Sequence, residues 1–539
     1  MRSHLKLSDT QNLKSFYQMK NPHALLLLLL AMVNAMACSG SKVRNTETQD
    51  TTMEKTVRPT AVAGSFYPRG REEVEKQLKD CFKPFTGCEQ RTDIQAVIVP
   101  HAGWVFSGEV AASAFARILP SKHYERVFLI GPSHQVWLDA VSVNTAVTHY
   151  ATPLGEVPVD TEACRKLTAR NPELFKYDPR AHDREHCLEV EIPFLQYHLK
   201  EMPPIVPVII STDEFDKLVD LNEALAPWFN EHNLFVISSD FSHYPAYKDA
   251  LLADGRTGEA IESGNVQMLA NAIDRNTRER ITGLATSACG SSGLFTLLIY
   301  TQRNTQLHVE HVLYRNSGDS PYGEKDRVVG YHSYIVYPQP QDPSAYTLTA
   351  SEKQTLLQLA RTSITDSLNR RPTSISHLSE KLMTPLGAFV TLHKNGRLRG
   401  CIGHFGEDIP LGKTVVEMAR SAAFGDPRFP SVTANELKDI EIEISVLTPL
   451  KRIHDISEFH YGRQGIYMRQ GYRSGTFLPQ VAYEVDWTKE EFLGHCAQDK
   501  AGIGWYGWKD AELYTYEAIL FSEERKATGR LGNGVKSDE

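Results

Sequence analysis

Three apolar runs of β type each stop at a polar tip that carries histidine. Residues 96–100 (AVIVP) lead into His101, residues 127–130 (VFLI) into the neighbourhood of His134, and residues 234–237 (LFVI) into Asp240 and His243. A fourth segment, residues 285–293 (ATSACGSSG), sets Cys289 among small residues. Imidazole, carboxylate and thiolate are the side chains that hold transition metals, and two His, an Asp and a Cys suffice for one ion. A metal-free alternative pairs Ser242 with His243 as nucleophile and base of a hydrolase. Adjacent side chains point apart, however, and no elbow of the GxSxG type surrounds them.

For these tips to meet, the runs must be strands of one sheet. A buried run of about four to eight residues bounded by turn signals reads as a strand of a covered parallel sheet. Ligands of open α/β sheets sit in the crevice beyond the carboxyl ends of such strands. Helical patterns alternate with the runs at residues 72–82, 108–119 and 215–231. Residues 205–210 (IVPVII) read as a further central strand, and residues 328–336 as a late one that closes the unit. The fold class predicted for residues 56–338 is therefore α/β, with a mostly parallel, helix-covered sheet. His101 and His134 are expected at adjacent strand ends, each beside small residues (PHAGW, GPSH) that let a ligand approach the backbone. Residues 181–191 (AHDREHCLEVE) are dense in polar groups. They read either as a solvated helix start or as the source of His186 and Glu189 or Glu191, working near the pocket as acid–base groups or as supports for the imidazoles.

The strings VRPTAVAGSFYP, PHAGWVFSG, GPSHQ, PLGEVPVD, EHCLEVEIPF, SSDFSHY and ACGSSG occur in that order over residues 58–338. Together they resemble the Memo family. The resemblance implies a fold like that of the class III non-haem-iron extradiol dioxygenases. It implies metal ligands His101, His134 and Cys289, with Asp240 and His243 close by. The extradiol enzymes use a carboxylate as the third ligand. A thiolate in that place is softer and favours iron, copper or zinc over magnesium. Iron(II) would support oxygen chemistry on a small-molecule substrate, with His186 or His243 as acid–base. Copper would support redox or metal handling, and zinc hydrolysis through activated water. The readings left open are a dioxygenase-like oxidoreductase, a non-catalytic metal-binding or scaffold protein, and a zinc-type hydrolase.

The Pro-rich stretch PQPQDPS marks a linker at residues 339–346 and begins a second unit, residues 347–522. A helical pattern runs to Leu368, with Ser351 and Gln354 as a capping pair. Strands follow at residues 387–394, 396–403 and 440–447, which makes an α+β unit. In LRGCIGH, Gly400 and Gly403 permit close backbone approach around Cys401, and His404 would depress the thiol pKa if its ring is near. The alternative is a packed glycine turn with a buried cysteine. This string, with AFGDPRF, FLPQV and CAQDKAG, resembles the AMMECR family. The resemblance implies a functional surface at Arg399, Cys401 and His404, with Asp426, Pro427 and Arg428 beside it. The two families are companions in the AmmeMemoRadiSam system, which implies functional association with a radical-SAM protein. Fusion raises the effective concentration of one unit at the other.

The chain has 539 residues and a formal net charge of −8, so no basic field is available for nucleic acid. Residues 24–33 (ALLLLLLAMV) followed by NAMACSG have the layout of a lipoprotein signal, with Cys38 as the lipidated residue and Met19 as the expected start. Residues 1–38 are then signal, 39–55 a polar tether and 523–539 a polar tail. The predicted location is the bacterial cell envelope, lipid-anchored and facing the periplasm or exterior. Of eight cysteines, setting Cys38 aside leaves an odd number, hence at least one free or liganded thiol. Cys81 and Cys88 are near enough in sequence to pair across a loop.

Overall fold

The computed structural model describes residues 54–304, 306–339, 346–375, 378–406 and 408–523. The signal, Cys38, nearly all of the tether and of the linker, and the tail beyond residue 523 lie outside the described residues. No helix among the described residues is long and apolar enough to cross a membrane.

In chain order the strands of the first unit are β1 (Val57–Arg58), β2 (Ala96–Val99), β3 (Arg126–Pro132), β4 (Ala140–Val143), β5 (His149–Thr152), β6 (Gly155–Pro158), β7 (Phe175–Lys176), β8 (Ile205–Ser211), β9 (Asn233–Ser238), β10 (Leu307–Asn316) and β11 (Gly330–Pro338). Eight of them form one sheet in the order β10-β11-β2-β9-β3-β8-β4-β7. Its centre, β2, β9, β3 and β8, is parallel. These four strands are buried nearly end to end. Helices cover both faces of such a sheet, so its strands read as continuous apolar runs without alternation. The helix Trp104–Phe115 carries the chain over one face, and Ser291–Arg303 packs against β3 and β9.

The strand order corrects one expectation. The ends of β2 and β3, which deliver His101 and His134, are not neighbours. The chain leaves a place between them and returns with β9, whose end delivers Asp240 and His243. The late strand β11 is buried along nearly its whole length. Its polar residues His332 and Ser333 are buried, and their hydrogen bonds run to neighbouring buried groups instead of water.

The second unit contains β12 (Ala388–Lys394), β13 (Arg397–His404), β14 (Ile440–Leu447), β15 (Lys451–Ile453), β16 (Gly465–Gln470), β17 (Arg473–Phe477), β18 (Glu512–Tyr516) and β19 (Ala518–Ser522). One sheet, β13-β12-β14-β19, packs under the helices Ala350–Leu368 and Leu411–Phe424 around its own core. The first of these helices is capped by Thr349 and Glu352, not by Ser351 and Gln354, because its first turn begins at Ala350. The other sheet, β15-β18-β16-β17, shares a continuous apolar core with the first unit. At that contact a Cβ on Gly462 (φ +83°) would lie 2.3 Å from the sulfur of Met268, so only glycine lets the two surfaces close.

Candidate metal centre

Three imidazoles meet at the carboxyl ends of β2, β9 and β3, with the Cys289 thiol beside one of them. The ligand atoms of His101, His134 and His186 lie within 4.8 Å of one another. The Cys289 sulfur stands 3.2 Å from His101 Nε2. His101 and Cys289 come from the turns after β2 and before the helix Ser291–Arg303. His134 follows β3, and His186 comes from the polar-dense segment.

Each imidazole is held in one tautomer. The Ser238 hydroxyl donates to the Cys187 carbonyl at 2.7 Å and accepts from His101 Nδ1 at 2.8 Å. That assigns the ring proton to Nδ1 and leaves Nε2 with its lone pair facing Cys289. Glu185 does the same for the other two. Its Oε1 accepts from His134 Nδ1 at 2.8 Å and lies 3.2 Å from His186 Nδ1. Both carboxylate oxygens also accept backbone N–H groups, from His134, His186 and Cys187. Burial alone would raise the Glu185 pKa, but the hydrogen bonds from His134 and His186 hold it well below the usual carboxylate range. Burial and the neighbouring His134 and His186 hold His101 neutral, well below the ordinary imidazole pKa.

Asp240 and His243 stand on the loop after β9. Asp240 Oδ1 accepts the backbone N–H groups of His101 at 2.8 Å and Ala102 at 3.2 Å, so it shapes the turn that presents His101. Burial raises its pKa to about 6, and those amide bonds oppose the rise. The His243 Nε2 is buried without a hydrogen-bond partner. Burial, then the neighbouring His134, pushes its pKa down to about 4, so it is a neutral base at pH 7. Tyr244, the next residue, adopts φ 74°, an uncommon conformation for a bulky side chain. Its N–H bonds to the Val328 carbonyl at 2.7 Å, and the flanking backbone is tied to Thr286 and Gly330. Such strain persists only where its surroundings over-determine it, and it concentrates at working sites.

The donor set fits a transition metal. Three imidazoles whose ligand atoms converge, with a thiol beside one of them, match ions that accept nitrogen and sulfur. The second grouping that could hold an ion, His134, Glu185 and Cys187, shares His134 and belongs to the same pocket.

Residues 58–335 match the family model described as Memo-like protein. This chain belongs to the Memo-like protein family. Residues 357–521 match the AMMECR1 model, so the Memo-like unit is fused to an AMMECR1 unit. A MEMO1 family protein of Methanosarcina barkeri is 33% identical over 284 residues, which cover 52% of this chain and 100% of that protein. One of Nitrosopumilus maritimus is 32% identical over 281 residues, covering 51% and 98%. A protein of Methanopyrus kandleri is 42% identical over 190 residues, covering 33% of this chain and 91% of its own length. The crystal structure of an uncharacterized protein from Pyrococcus horikoshii aligns at 34% identity and a TM-score of 0.30, over 32% of this chain and 91% of that one.

In the Memo-like unit, Glu189 and Glu191 take roles that their place in the sequence does not reveal. Glu189 is fully buried and forms an ion pair with Arg58 at 2.7 Å. It also accepts from Ala61 N, Val62 N and Tyr67 Oη, so it pins the amino-terminal segment to the pocket wall. Glu191 lies behind Ser238, at 3.4 Å, and its pKa is raised far above the ordinary value by burial and then by Asp240. Glu185 and Ser238, which orient the imidazoles, carry no sign of that role in the sequence beyond the place of Glu185 beside His186 in a polar stretch. All seven cysteines among the described residues are free, Cys81 and Cys88 included.

In the AMMECR1 unit, His404 is not among the main influences on the Cys401 thiol, and the reading of a buried cysteine by a packed glycine turn agrees with the structure. Burial raises the Cys401 thiol, and His404 bonds to Asp408 at 2.8 Å. Gly400 is required because a Cβ there would lie 2.2 Å from the Ala422 carbonyl of the covering helix. Arg399 is turned toward Glu436 at 2.9 Å, while Asp426 binds the Cys401 N–H and Arg428.

Proposed function

We propose that the Memo-like unit holds a redox-active transition metal, iron or copper, on His101, His134 and Cys289, and acts on a small molecule as a metal-dependent oxidoreductase. The observation that carries this reading is the paired restraint of the imidazoles. Ser238 fixes His101 and Glu185 fixes His134, each through Nδ1, so each ring turns Nε2 toward the pocket, that of His101 facing Cys289. Metal-ligating histidines are oriented in this way, through the ring nitrogen that faces away from the ion. When bound, the ion would supply a redox couple and open positions for a substrate oxygen. The protein supplies the rest. His186 is near enough to complete the donor set or, left free, to move a proton beside it. His243 offers an unpartnered nitrogen to accept one. Phe66, 4.6 Å from the His186 ring, forms an apolar wall.

Elemental analysis of protein purified from cells tests the site. The expected result is close to one iron or copper per chain, lost in His101→Ala and Cys289→Ala. Unchanged metal content in both variants would refute the shared site. Oxygen uptake with candidate catechols and other small phenols then separates an enzyme from a metal-holding protein, and zinc in place of iron or copper would move the reading to hydrolysis. Residues 24–40 support a second proposal, that the chain is exported and lipid-anchored at Cys38. Incorporation of labelled palmitate that survives Cys38→Ala would end it.

A further inference from the structure

Helix Tyr247–Glu262 begins four residues after His243 and joins the metal pocket to the AMMECR1 unit. Asp254 on this helix is fully buried, and its carboxylate accepts three hydrogen bonds of 2.8 Å. Two come from one residue, the backbone N–H and the hydroxyl of Ser242, and the third from Tyr314 on β10. Ser242 lies between Phe241 and His243, so the carboxylate grips the working loop at its centre. The grip is close. A Cβ on Gly330 would lie 1.9 Å from Asp254 Oδ2, and Gly330 is also the residue that exchanges backbone hydrogen bonds with Phe241 and Ser242.

Two residues along the helix, Arg256 starts a ladder of ion pairs that ends in the other unit. Arg256 Nη1 meets Glu279 Oε2 at 2.7 Å, and Glu279 Oε1 meets Arg275 Nε at 2.8 Å. Arg275 then binds Glu491 through both terminal nitrogens, at 2.6 and 2.8 Å, and donates to the Asp486 carbonyl at 2.8 Å. The Lys489 N–H reaches Glu259 Oε2, on the same helix, at 3.3 Å. The AMMECR1 unit also braces the strand that carries Tyr314. Arg463 donates to the Leu307 carbonyl at 2.9 Å and contacts His308 at 2.8 Å.

We propose that Asp254 is a positioning residue for His243, and that the AMMECR1 unit, clamped through Arg275 and Glu491, holds the helix that carries it. Fusion of the two units then has a mechanical consequence. The second unit acts as a brace that fixes where the buried base of the metal pocket stands. Asp254 does not touch the metal donors, and its effect passes through Ser242.

This inference rests on the reading of His243 as a working group, but its test needs no metal. The full chain is prepared metal-free with ¹⁵N-labelled histidine, and the His243 imidazole signals are followed together with amide exchange at Ser242. In Ser242→Ala and Asp254→Asn the imidazole signals should move. In Asp254→Asn the Ser242 amide should also exchange at least about tenfold faster. Glu491→Gln, at the distant clamp, should produce the same changes at smaller amplitude, along with faster exchange in residues 489–495. Where Asp254→Asn does not fold, Ser242→Ala decides the first part. Unmoved His243 signals in folded Ser242→Ala overturn the positioning role. A loosened clamp in Glu491→Gln with His243 and Ser242 unchanged overturns the brace. Failure of the metal reading would instead appear as absence of metal from wild type, with these signals intact.

Discussion

Glu185 bonds to His134 twice, through the backbone N–H at 2.7 Å and the ring Nδ1 at 2.8 Å. The same carboxylate lies 3.2 Å from His186 Nδ1, so one buried acid sets the orientation of two imidazoles. Both rings meet the same oxygen, Oε1, while Oε2 accepts the His134 N–H, so the amide group of Glu185→Gln opposes either that N–H or both rings. Groups that orient metal-bound histidines contribute about 10–100-fold to affinity. The expected result is a loss of that size in a competition titration with a metal-binding dye, while far-ultraviolet circular dichroism stays unchanged. Unaltered affinity in Glu185→Gln would remove Glu185 from the site.

The Arg58–Glu189 pair is a different kind of contact, since neither partner touches the donors. Both are buried, and Arg58 also donates to the carbonyls of His182 and Glu185. Removing one partner of a buried pair leaves a charge without compensation and costs roughly 3–5 kcal/mol. Arg58→Ala should therefore lower the thermal midpoint of the Memo-like unit by several degrees. Because Arg58 bonds the backbone of Glu185, metal affinity should fall too. A destabilised protein with full affinity would show that the segment beside Arg58 is only a structural strap.

Much of this was legible in the residues, for a physical reason. Covered parallel strands are apolar on both faces, so β2, β3, β8 and β9 stand out as unbroken runs. The polar residues His101, His134, Asp240 and His243 follow the ends of these runs, which is why they stand out by spacing, while Cys289 stands out by its setting among small residues. The order of the strands was not legible. Nothing local records that β9 inserts between β2 and β3, because that choice is made by long crossovers. Glu185 was hidden for a related reason. In AHDREHCLEVE it resembles its neighbours Asp183 and Arg184, which are exposed, and only tertiary burial singles it out.

Asp254 offers a test by pH. Burial raises its pKa from the ordinary 3.8 to about 6, against the hydrogen bonds from Ser242 and Tyr314. Between these values the folded chain binds a proton that the unfolded chain has released. Stability from this group is therefore greatest below about pH 4 and declines as pH rises toward 6, by on the order of 3 kcal/mol. Asp240 and Glu191 slope the same way and carboxylates held low, such as Glu185, the opposite way, so the comparison is with Asp254→Asn, which cannot titrate. The difference in unfolding free energy between wild type and variant should shift in favour of the variant from pH 4 to pH 6. A pH-independent difference would mean that Asp254 is ionised throughout.

His243 carries the sharpest expectation because its two roles pull in opposite directions. Its Nε2 is buried without a partner, and leaving such a group unsatisfied costs about 1–3 kcal/mol. A residue that served only packing would have been better replaced by an apolar side chain of similar size. His243→Phe should therefore leave the thermal midpoint unchanged or raised, because the ring fills the space and the orphaned nitrogen is gone. Metal content should also stay at the wild-type level, since His101, His134 and Cys289 are untouched. Turnover, measured as oxygen uptake with whatever phenolic substrate supports it in wild type, should fall by at least about 10²-fold, the usual contribution of a positioned acid–base group. Stability gained at the expense of activity is the signature of a residue kept for function. If His243→Phe instead loses metal, His243 is a ligand, and the donor set has to be redrawn around it.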